Sequence, residues 1–246
     1  MRKRVRPLTG PNPHEMMVEC MPCKNSRKSF LENGYYHLYN RGVEKRTIFL
    51  DEHDYKVFLY LLKAYLDPDE KINQKTSLVN PMNLSDEVDL LAFCLMSNHF
   101  HLLIHQNKKN GISKIMQRVL TNYVMYFNKR YKRVGPLFQG VYKAVLVESE
   151  NYLLHVSRYI HRNPLGIYRV SPLPGSDPLV AYPYSSFGDY LGVRSSRWVK
   201  PSSILEYFSS NDMPLMKKFK SYKDFVTEKD ADAGGWLEGI GIDNDE

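Results

Sequence analysis

Two predicted strands around one short turn constrain the fold of this chain more than any other segment. Val88–Leu95 and Phe100–His105 are rich in apolar residues, and Met96–Asn98 lie near the turn between them. Side chains alternate between the two faces of a strand, so His99 and His101 point to one face and the phenylalanine between them to the other. The hairpin therefore presents two imidazoles side by side on a rigid backbone.

The two histidines form a candidate metal-binding pair. Neutral imidazole is the commonest nitrogen ligand for divalent ions, and the strand holds both rings at a separation that suits one ion. Two histidines also alternate on a half-exposed strand by chance, and two ligands do not complete a site. The pair therefore predicts a metal only together with further ligands elsewhere in the chain.

A predicted helix between residues 149 and 163 offers the missing groups. Its apolar residues Leu153, Val156 and Ile160 recur at helical spacing, and the proline at position 164 ends it. Tyr159 and Asn163 lie four residues apart and share one side of the helix. If this helix packs beside the histidine strand, it brings a tyrosine hydroxyl and an amide oxygen to the same place.

Both residues of this helix also have a plainer interpretation. Tyr159 borders the apolar stripe and fits a packing role, and an asparagine before proline is a common helix stop. A tyrosine nucleophile also needs help, because phenol has a pKa near ~10 and requires an adjacent cation or base. Only the coincidence of Tyr159 and Asn163 with the histidine pair favours a catalytic role.

Four segments of the chain match a known family in order. They are Gly34–Gly42, Leu95–Leu103, residues 128–140 with Gly-Pro-Leu-Phe-Gln-Gly at their end, and Tyr159–Pro164. In this order the chain resembles the single-tyrosine HUH transposases, and more closely the REP-associated tyrosine transposases. The resemblance spans about residues 34 to 192. A histidine pair alone is weakly specific, but the downstream tyrosine with an asparagine four residues later makes the combination specific.

The resemblance implies a nuclease and strand transferase that acts on single-stranded DNA. His99, His101 and Asn163 would bind Mg²⁺ or Mn²⁺, and Tyr159 would be the nucleophile. Its attack on a phosphate would leave a 5′-phosphotyrosine and a free 3′-hydroxyl, so a second 3′-hydroxyl could rejoin the DNA without ATP. In this family the substrate is usually a hairpin of an imperfect palindrome with a short guide sequence at its foot.

The charge distribution agrees with a nucleic-acid partner. The net charge is +7, and residues 227–246 contribute −6 of it, so residues 1–226 carry +13. Such an excess of positive charge favours the binding of polyanions. At positions 129–133 a tyrosine lies among cations, which suits stacking with unpaired bases, and a solvated helix end is the alternative interpretation of this run. The basic residues that we predict to contact DNA are Arg41, Lys45, Arg46, Lys129, Arg130, Lys132, Arg133, Lys143, Arg158 and Arg162.

The predicted order of elements is strand-helix-strand-strand-helix-strand. This order is typical of an α+β, ferredoxin-like fold, an antiparallel sheet with helices on one face, and it leaves the other face open for a ligand. Besides the hairpin, the predicted elements are Gly34–Asn40, Asp51–Leu66, residues 112–127, Tyr142–Val147, and C-terminal helices at Ile204–Phe208 and Met216–Val226. The predicted divisions are a basic N-terminal arm (1–33), the transposase domain (34–192), a short helical extension (193–226) and an acidic tail (227–246).

A non-catalytic binder of structured DNA or RNA is the alternative to the enzyme. Both would use a basic surface, but only the enzyme needs the two histidines, the tyrosine and the asparagine together. No apolar stretch approaches a transmembrane length and three cysteines suit a reducing compartment, so we expect a cytoplasmic protein without a membrane partner. The sequence leaves open whether the chain is a homodimer and whether Tyr159 serves its own metal site or a partner's.

Overall fold

A four-stranded antiparallel sheet organises the part of the chain that the computed structural model describes, which is residues 30–69, 83–166, 177–209 and 219–228. The strands are β1 (Tyr35–Arg41), β2 (Val88–Met96), β3 (His99–Gln106) and β4 (Lys143–Val147). Their spatial order is β2-β3-β1-β4, and each neighbouring pair is antiparallel. Helix α1 (Glu52–Leu66) connects β1 to β2, and α2 (Gly111–Arg130) connects β3 to β4. The predicted ferredoxin-like α+β class is confirmed.

Helices α1 and α2 pack together on one face of the sheet, as predicted. Both helices are amphipathic, and their apolar sides meet the same face of the central strands. The core between them combines aliphatic residues with the aromatic residues Phe58, Tyr123, Phe127, Phe93 and Phe100. Asp51 begins α1 as predicted, because its carboxylate accepts a hydrogen bond from the backbone N–H of residue 54 at 3.2 Å.

The opposite face of the sheet is covered by the helix that carries the tyrosine, α3 (Glu150–Arg162). Its apolar stripe, which includes Val156 and Ile160, packs with Leu91 and Leu103 of β2 and β3 in a second core. The expectation that this face is open for a ligand is therefore wrong, because the stripe needs an apolar partner and the sheet provides it. The packing sets α3 on the same side of the sheet as the histidine pair.

Short helices complete the described chain after α3. They are α4 (Pro178–Ala181), α5 (Phe187–Tyr190), α6 (Ser202–Ser209) and α7 (Tyr222–Thr227). The predicted C-terminal helices are confirmed, although the last one begins at Tyr222, and residues 216–218 of its prediction lie outside the described residues. Residues 1–29 of the predicted basic arm and 229–246 of the acidic tail also lie outside them. Within the described ranges, no helix has the length and apolar character needed to cross a membrane.

Candidate metal and nucleophile site

His99 and His101 lie where β3 leaves the turn from β2. The strand alternation directs both rings to the side of the sheet that α3 covers, with ring centroids 5.0 Å apart. His101 is completely buried and sits opposite Tyr39 on β1, whereas His99 lies at the end of the sheet opposite Arg41. The predicted imidazole pair is thus formed at the end of the sheet nearest the turn.

The amide of Asn98 fixes the orientation of His99. Its Nδ2 donates to the carbonyl oxygen of Lys45 at 3.2 Å, so its Oδ1 is the atom that lies 2.7 Å from Nδ1 of His99. An amide oxygen only accepts hydrogen bonds, so Nδ1 of His99 must carry the proton and donate. In the neutral ring, Nε2 of His99 consequently holds a lone pair, which a metal ion requires.

Asn163 faces that lone pair from the end of α3. Its Nδ2 donates to the carbonyl oxygen of Tyr159 at 2.9 Å, which turns Oδ1 toward Nε2 of His99 at 3.5 Å. Two acceptor atoms cannot hydrogen-bond to each other, and a metal cation between them would satisfy both. Asn163 marks the helix end as predicted, but it keeps helical backbone angles (φ −47°, ψ −40°) despite the following proline.

His101 contributes a second available nitrogen. Its Nδ1 lies 2.9 Å from Nε2 of His37, a buried residue of β1. Its Nε2 is buried and makes no well-formed hydrogen bond among the described residues, although the side chain of Asn163 lies close enough to interact with the ring. Burial, followed by electrostatic interactions with His37, His99 and Arg41, holds the pKa of His101 well below its usual range. A neutral ring with an unsatisfied buried nitrogen is suited to a metal ion.

These atoms fit the divalent ion that the resemblance implies. Nε2 of His99 lies 3.5 Å from Oδ1 of Asn163, the His101 ring lies 5.0 Å from the His99 ring, and Asn163 also interacts with His101. Within the described ranges, no group of three His, Cys, Asp or Glu side chains could hold a metal ion. Two imidazole nitrogens and an amide oxygen are acceptable ligands for divalent first-row ions.

Tyr159 lies directly beside the histidines of its own chain. Its ring is edge-on to His101, with centroids 5.3 Å apart, and edge-on to His37 at 6.0 Å. The side chain is half-buried, so the ring is held by packing without being sealed from solvent. One chain therefore brings the four residues of the predicted site together.

The matching range of a known family includes all of these residues. A model of the family described as IS200-like transposases matches residues 30–163 of the 246, more than half of the chain. The chain belongs to the IS200-like transposase family. A solved structure of a REP-associated tyrosine transposase bound to a REP hairpin is similar to it, with 13% sequence identity and a TM-score of 0.49 over 72% of this chain and 92% of that chain. A comparison with curated proteins gives no match.

Several predicted basic residues of this IS200-like transposase lie at the histidine side of the sheet. Strand pairing places His101, Tyr39 and Lys143 in one row across three strands, and the Lys143 ammonium lies 5.8 Å from the centre of the Tyr39 ring. Arg41 pairs with His99 in the neighbouring row. Lys45 and Arg46 belong to the loop after β1, which bonds to the turn before His99. Strand pairing places Arg41 and Lys143 beside the predicted metal ligands. Lys45 approaches the turn through its backbone carbonyl oxygen, and the Arg46 guanidinium lies 3.9 Å from the carboxylate of Glu44.

The basic cluster at the end of α2 lies on the other face of the transposase sheet. Lys129 and Lys132 are exposed there. Arg130 instead donates to Asp51 at 2.5 Å and to the buried carboxylate of Asp54 at 3.0 Å. Asp54 also accepts from two tyrosine hydroxyls, so Arg130 completes a buried polar network. The prediction of a DNA contact fits the two lysines better than it fits Arg130.

Replacing Lys129 and Lys132 together by alanine should weaken binding to all DNA sequences alike. Each lost phosphate contact should lower the salt slope by about 0.7 for single-stranded DNA, without a change in melting temperature. The control is Arg130→Ala, which should lower the melting temperature because it strips a partner from buried Asp54. Fluorescence anisotropy across a salt series gives the affinity and its slope, and an unchanged slope in the double variant would make the cluster a solvated helix end.

Arg158 and Arg162 serve the C-terminal helix of this transposase. Arg158 is 1% exposed, and its guanidinium donates to the carbonyl oxygens of Phe225, at 2.6 Å, and Glu228. Arg162 donates to Val226 and Glu228 at 2.8 and 2.9 Å. The predicted DNA contact of Arg158 does not fit this position, because the side chain is buried against the end of α7. Both arginines anchor α7 to the tyrosine helix.

Two polar neighbours of the metal ligands escaped sequence reasoning. His37 lies on β1 within a predicted strand, but only the pairing register shows that it reaches His101. Asn98 immediately precedes His99, and its role depends on a carbonyl group 53 residues away. In each case the signal in the sequence was a polar residue beside a predicted turn or within an apolar strand.

Proposed function

We propose that this IS200-like transposase is a metal-dependent endonuclease and strand transferase that acts on single-stranded DNA through a 5′-phosphotyrosine. The observation that carries the proposal is the 3.5 Å approach of Nε2 of His99 to Oδ1 of Asn163, two acceptors on a strand and on the tyrosine helix. These two atoms cannot hydrogen-bond to each other in the neutral state, whereas a divalent ion could bind both of them and Nε2 of His101.

The chemistry of the proposal is a pair of phosphoryl transfers. The Tyr159 hydroxyl oxygen attacks the scissile phosphorus, the bond from phosphorus to the 3′-oxygen breaks, and the departing oxygen takes up a proton as a 3′-hydroxyl. A second 3′-hydroxyl then attacks the phosphotyrosine and restores the tyrosine hydroxyl, so the bond energy is conserved. When bound, a divalent ion would polarise a phosphate oxygen and stabilise the developing negative charge.

Arg41 and Lys143 support the same reaction through their placement. Both lie on the histidine side of the sheet, in the rows that contain His99 and His101. Positive charge held in place before the reaction stabilises the charge that develops on a transferring phosphate. We propose that these two cations bind the phosphates that flank the scissile bond, with Lys45 and Arg46 as further contacts.

We propose a hairpin of repetitive palindromic DNA as the substrate, and a transposition-related role. The support is the ordered set of four motifs that this chain shares with the REP-associated tyrosine transposases, together with the charge of +13 on residues 1–226. Such positive charge attracts the phosphate backbone of any DNA. The unpaired strand at the foot of a hairpin would be the segment that reaches Tyr159.

A covalent adduct between the protein and a labelled hairpin tests the proposed function. Incubation with Mn²⁺ should give a band on a denaturing gel that contains both protein and DNA, and excess chelator should prevent it. A fully paired duplex of the same sequence is the matched control and should give no adduct. Binding of the hairpin without an adduct, in Mn²⁺ and in Mg²⁺ alike, would instead support the non-catalytic binder.

A further inference from the structure

We infer that His37 is a positioning residue that accepts the Nδ1 proton of His101 when a metal ion binds, so that Nε2 of His101 is available to that ion. His37 is itself completely buried in the middle of β1, one row along the sheet from His101. The two rings are nearly parallel, with centroids 5.1 Å apart, and Nε2 of His37 lies 2.9 Å from Nδ1 of His101. The inference rests on the metal site of the proposed function.

One proton lies in the hydrogen bond between His37 and His101, and it can be carried by either of the two nitrogens. If the proton is on Nδ1 of His101, that ring donates to His37 and its Nε2 keeps a lone pair. If the proton is on Nε2 of His37, His37 donates, and neutral His101 must carry its own proton on Nε2. Only the first arrangement allows His101 to bind a metal ion. His37 therefore has to act as the acceptor.

The two predicted histidine ligands are oriented by different means. In His99 the proton lies on Nδ1 before any ion binds. The reason is that Asn98 donates its Nδ2 to a backbone carbonyl group, so its Oδ1 must accept from His99. In His101 the position of the proton is not fixed in advance, because its partner His37 is an imidazole that can either donate or accept. Nδ1 of His37 has no hydrogen-bond partner in the described part of the chain that would settle the matter. Asn98 and His37 therefore position their histidines differently. Asn98 is an acceptor at all times, whereas His37 becomes the acceptor when a metal ion binds to His101.

Burial gives this contact its importance. His37 is fully buried, and its Nε2, 2.9 Å away, is the acceptor that Nδ1 of His101 can reach among the described residues. Water does not reach Nδ1 of His101 to replace His37, since both rings are fully buried. Partners of this kind fix the ring orientation and raise the basicity of a ligating histidine. An apolar residue at position 37 would leave Nδ1–H of His101 unsatisfied in the core.

Two substitutions separate the hydrogen bond from the packing. His37→Gln would place an accepting oxygen near the position of Nε2, so this variant should preserve Mn²⁺ affinity within about threefold. His37→Leu fills similar space without an acceptor and should weaken Mn²⁺ binding by roughly 10- to 100-fold. His105→Leu is the matched control on β3, because His105 lies at the opposite end of the strand beside Asp89 and should leave the affinity unchanged.

Calorimetric titration of the full chain with Mn²⁺, without DNA, measures these affinities, and melting temperatures confirm that each variant folds. Imidazole ¹⁵N spectra of the full chain with Mg²⁺ should show the His101 proton on Nδ1 in the wild type. A folded His37→Leu variant that binds like the wild type, a His37→Gln variant as weak as His37→Leu, or a proton on Nε2 of His101 would overturn the role of His37 alone. Absence of Mn²⁺ binding by the wild type would overturn the proposed metal site as well.

Discussion

Replacing Tyr159 by phenylalanine is expected to abolish the covalent adduct with hairpin DNA while leaving hairpin binding intact. The substitution removes only the hydroxyl group, and the ring keeps its edge-on contacts with His101 and His37. Loss of a nucleophile usually lowers the rate by a factor on the order of 10⁴ or more. Adduct yield on a denaturing gel and hairpin affinity by anisotropy measure the two effects separately.

Other tyrosines provide the controls for this assignment. Tyr152 lies on the same helix, seven residues before Tyr159, and Tyr152→Phe should form the adduct normally. Tyr123 is buried and donates to the carbonyl oxygen of Ile48 at 2.5 Å, so it is not available to DNA. Mass spectrometry of the trapped complex identifies the linked residue. A nucleotide on any peptide that lacks Tyr159 would refute the assignment, as would an adduct formed by Tyr159→Phe.

Removal of the predicted metal ligands should have an effect of similar size on cleavage. The variant His99→Ala with His101→Ala should lose Mn²⁺-dependent cleavage by roughly 10³-fold or more, because a metal ion contributes several kcal/mol to charge stabilisation in such reactions. Hairpin affinity should fall much less, since contacts to the phosphate backbone supply most of the binding. A series of Mn²⁺ concentrations with cleavage as the readout tests this expectation.

Asn163 allows a sharper version of the same experiment. Asn163→Asp keeps an oxygen that faces His99, so it should retain Mn²⁺-dependent cleavage, whereas Asn163→Leu has no ligand atom and should lose it. The aspartate variant also shows whether the helix end tolerates a change that removes the bond to the Tyr159 carbonyl. Normal cleavage by Asn163→Leu, or by the wild type in excess chelator, would rule out the proposed site.

The sequence predicted the residues of this site, but it did not predict that a helix covers the sheet face on which they lie. Strand alternation was sufficient to pair His99 with His101, and helical spacing was sufficient to align Tyr159 with Asn163. The packing of α3 over the histidine face was missed, although Leu90–Met96 is apolar at every position, the pattern of a strand buried on both faces. That pattern indicates that both faces of the strand are buried, but it does not show which helix packs on the second face.

The roles of charged side chains were the hardest to predict, because they depend on distant partners. Arg130 looks like its neighbouring lysines in the sequence, but the fold brings it to Asp51 and Asp54, more than seventy residues away. Arg158 finds backbone carbonyl groups that no sequence pattern reveals. A dense basic run therefore predicts a nucleic-acid partner as a class, while the contribution of each cation depends on tertiary contacts.

One carbonyl group makes the nucleophile and a metal ligand inseparable. The carbonyl oxygen of Tyr159 accepts from both the backbone N–H and the side-chain Nδ2 of Asn163, within a single helical turn. Any displacement of α3 that withdraws the tyrosine from the sheet also withdraws the amide oxygen from His99. If Tyr159 becomes linked to DNA as proposed, a movement of α3 that carried this DNA away from the histidines would also separate Asn163 from His99, and the helix would have to return before a second transfer.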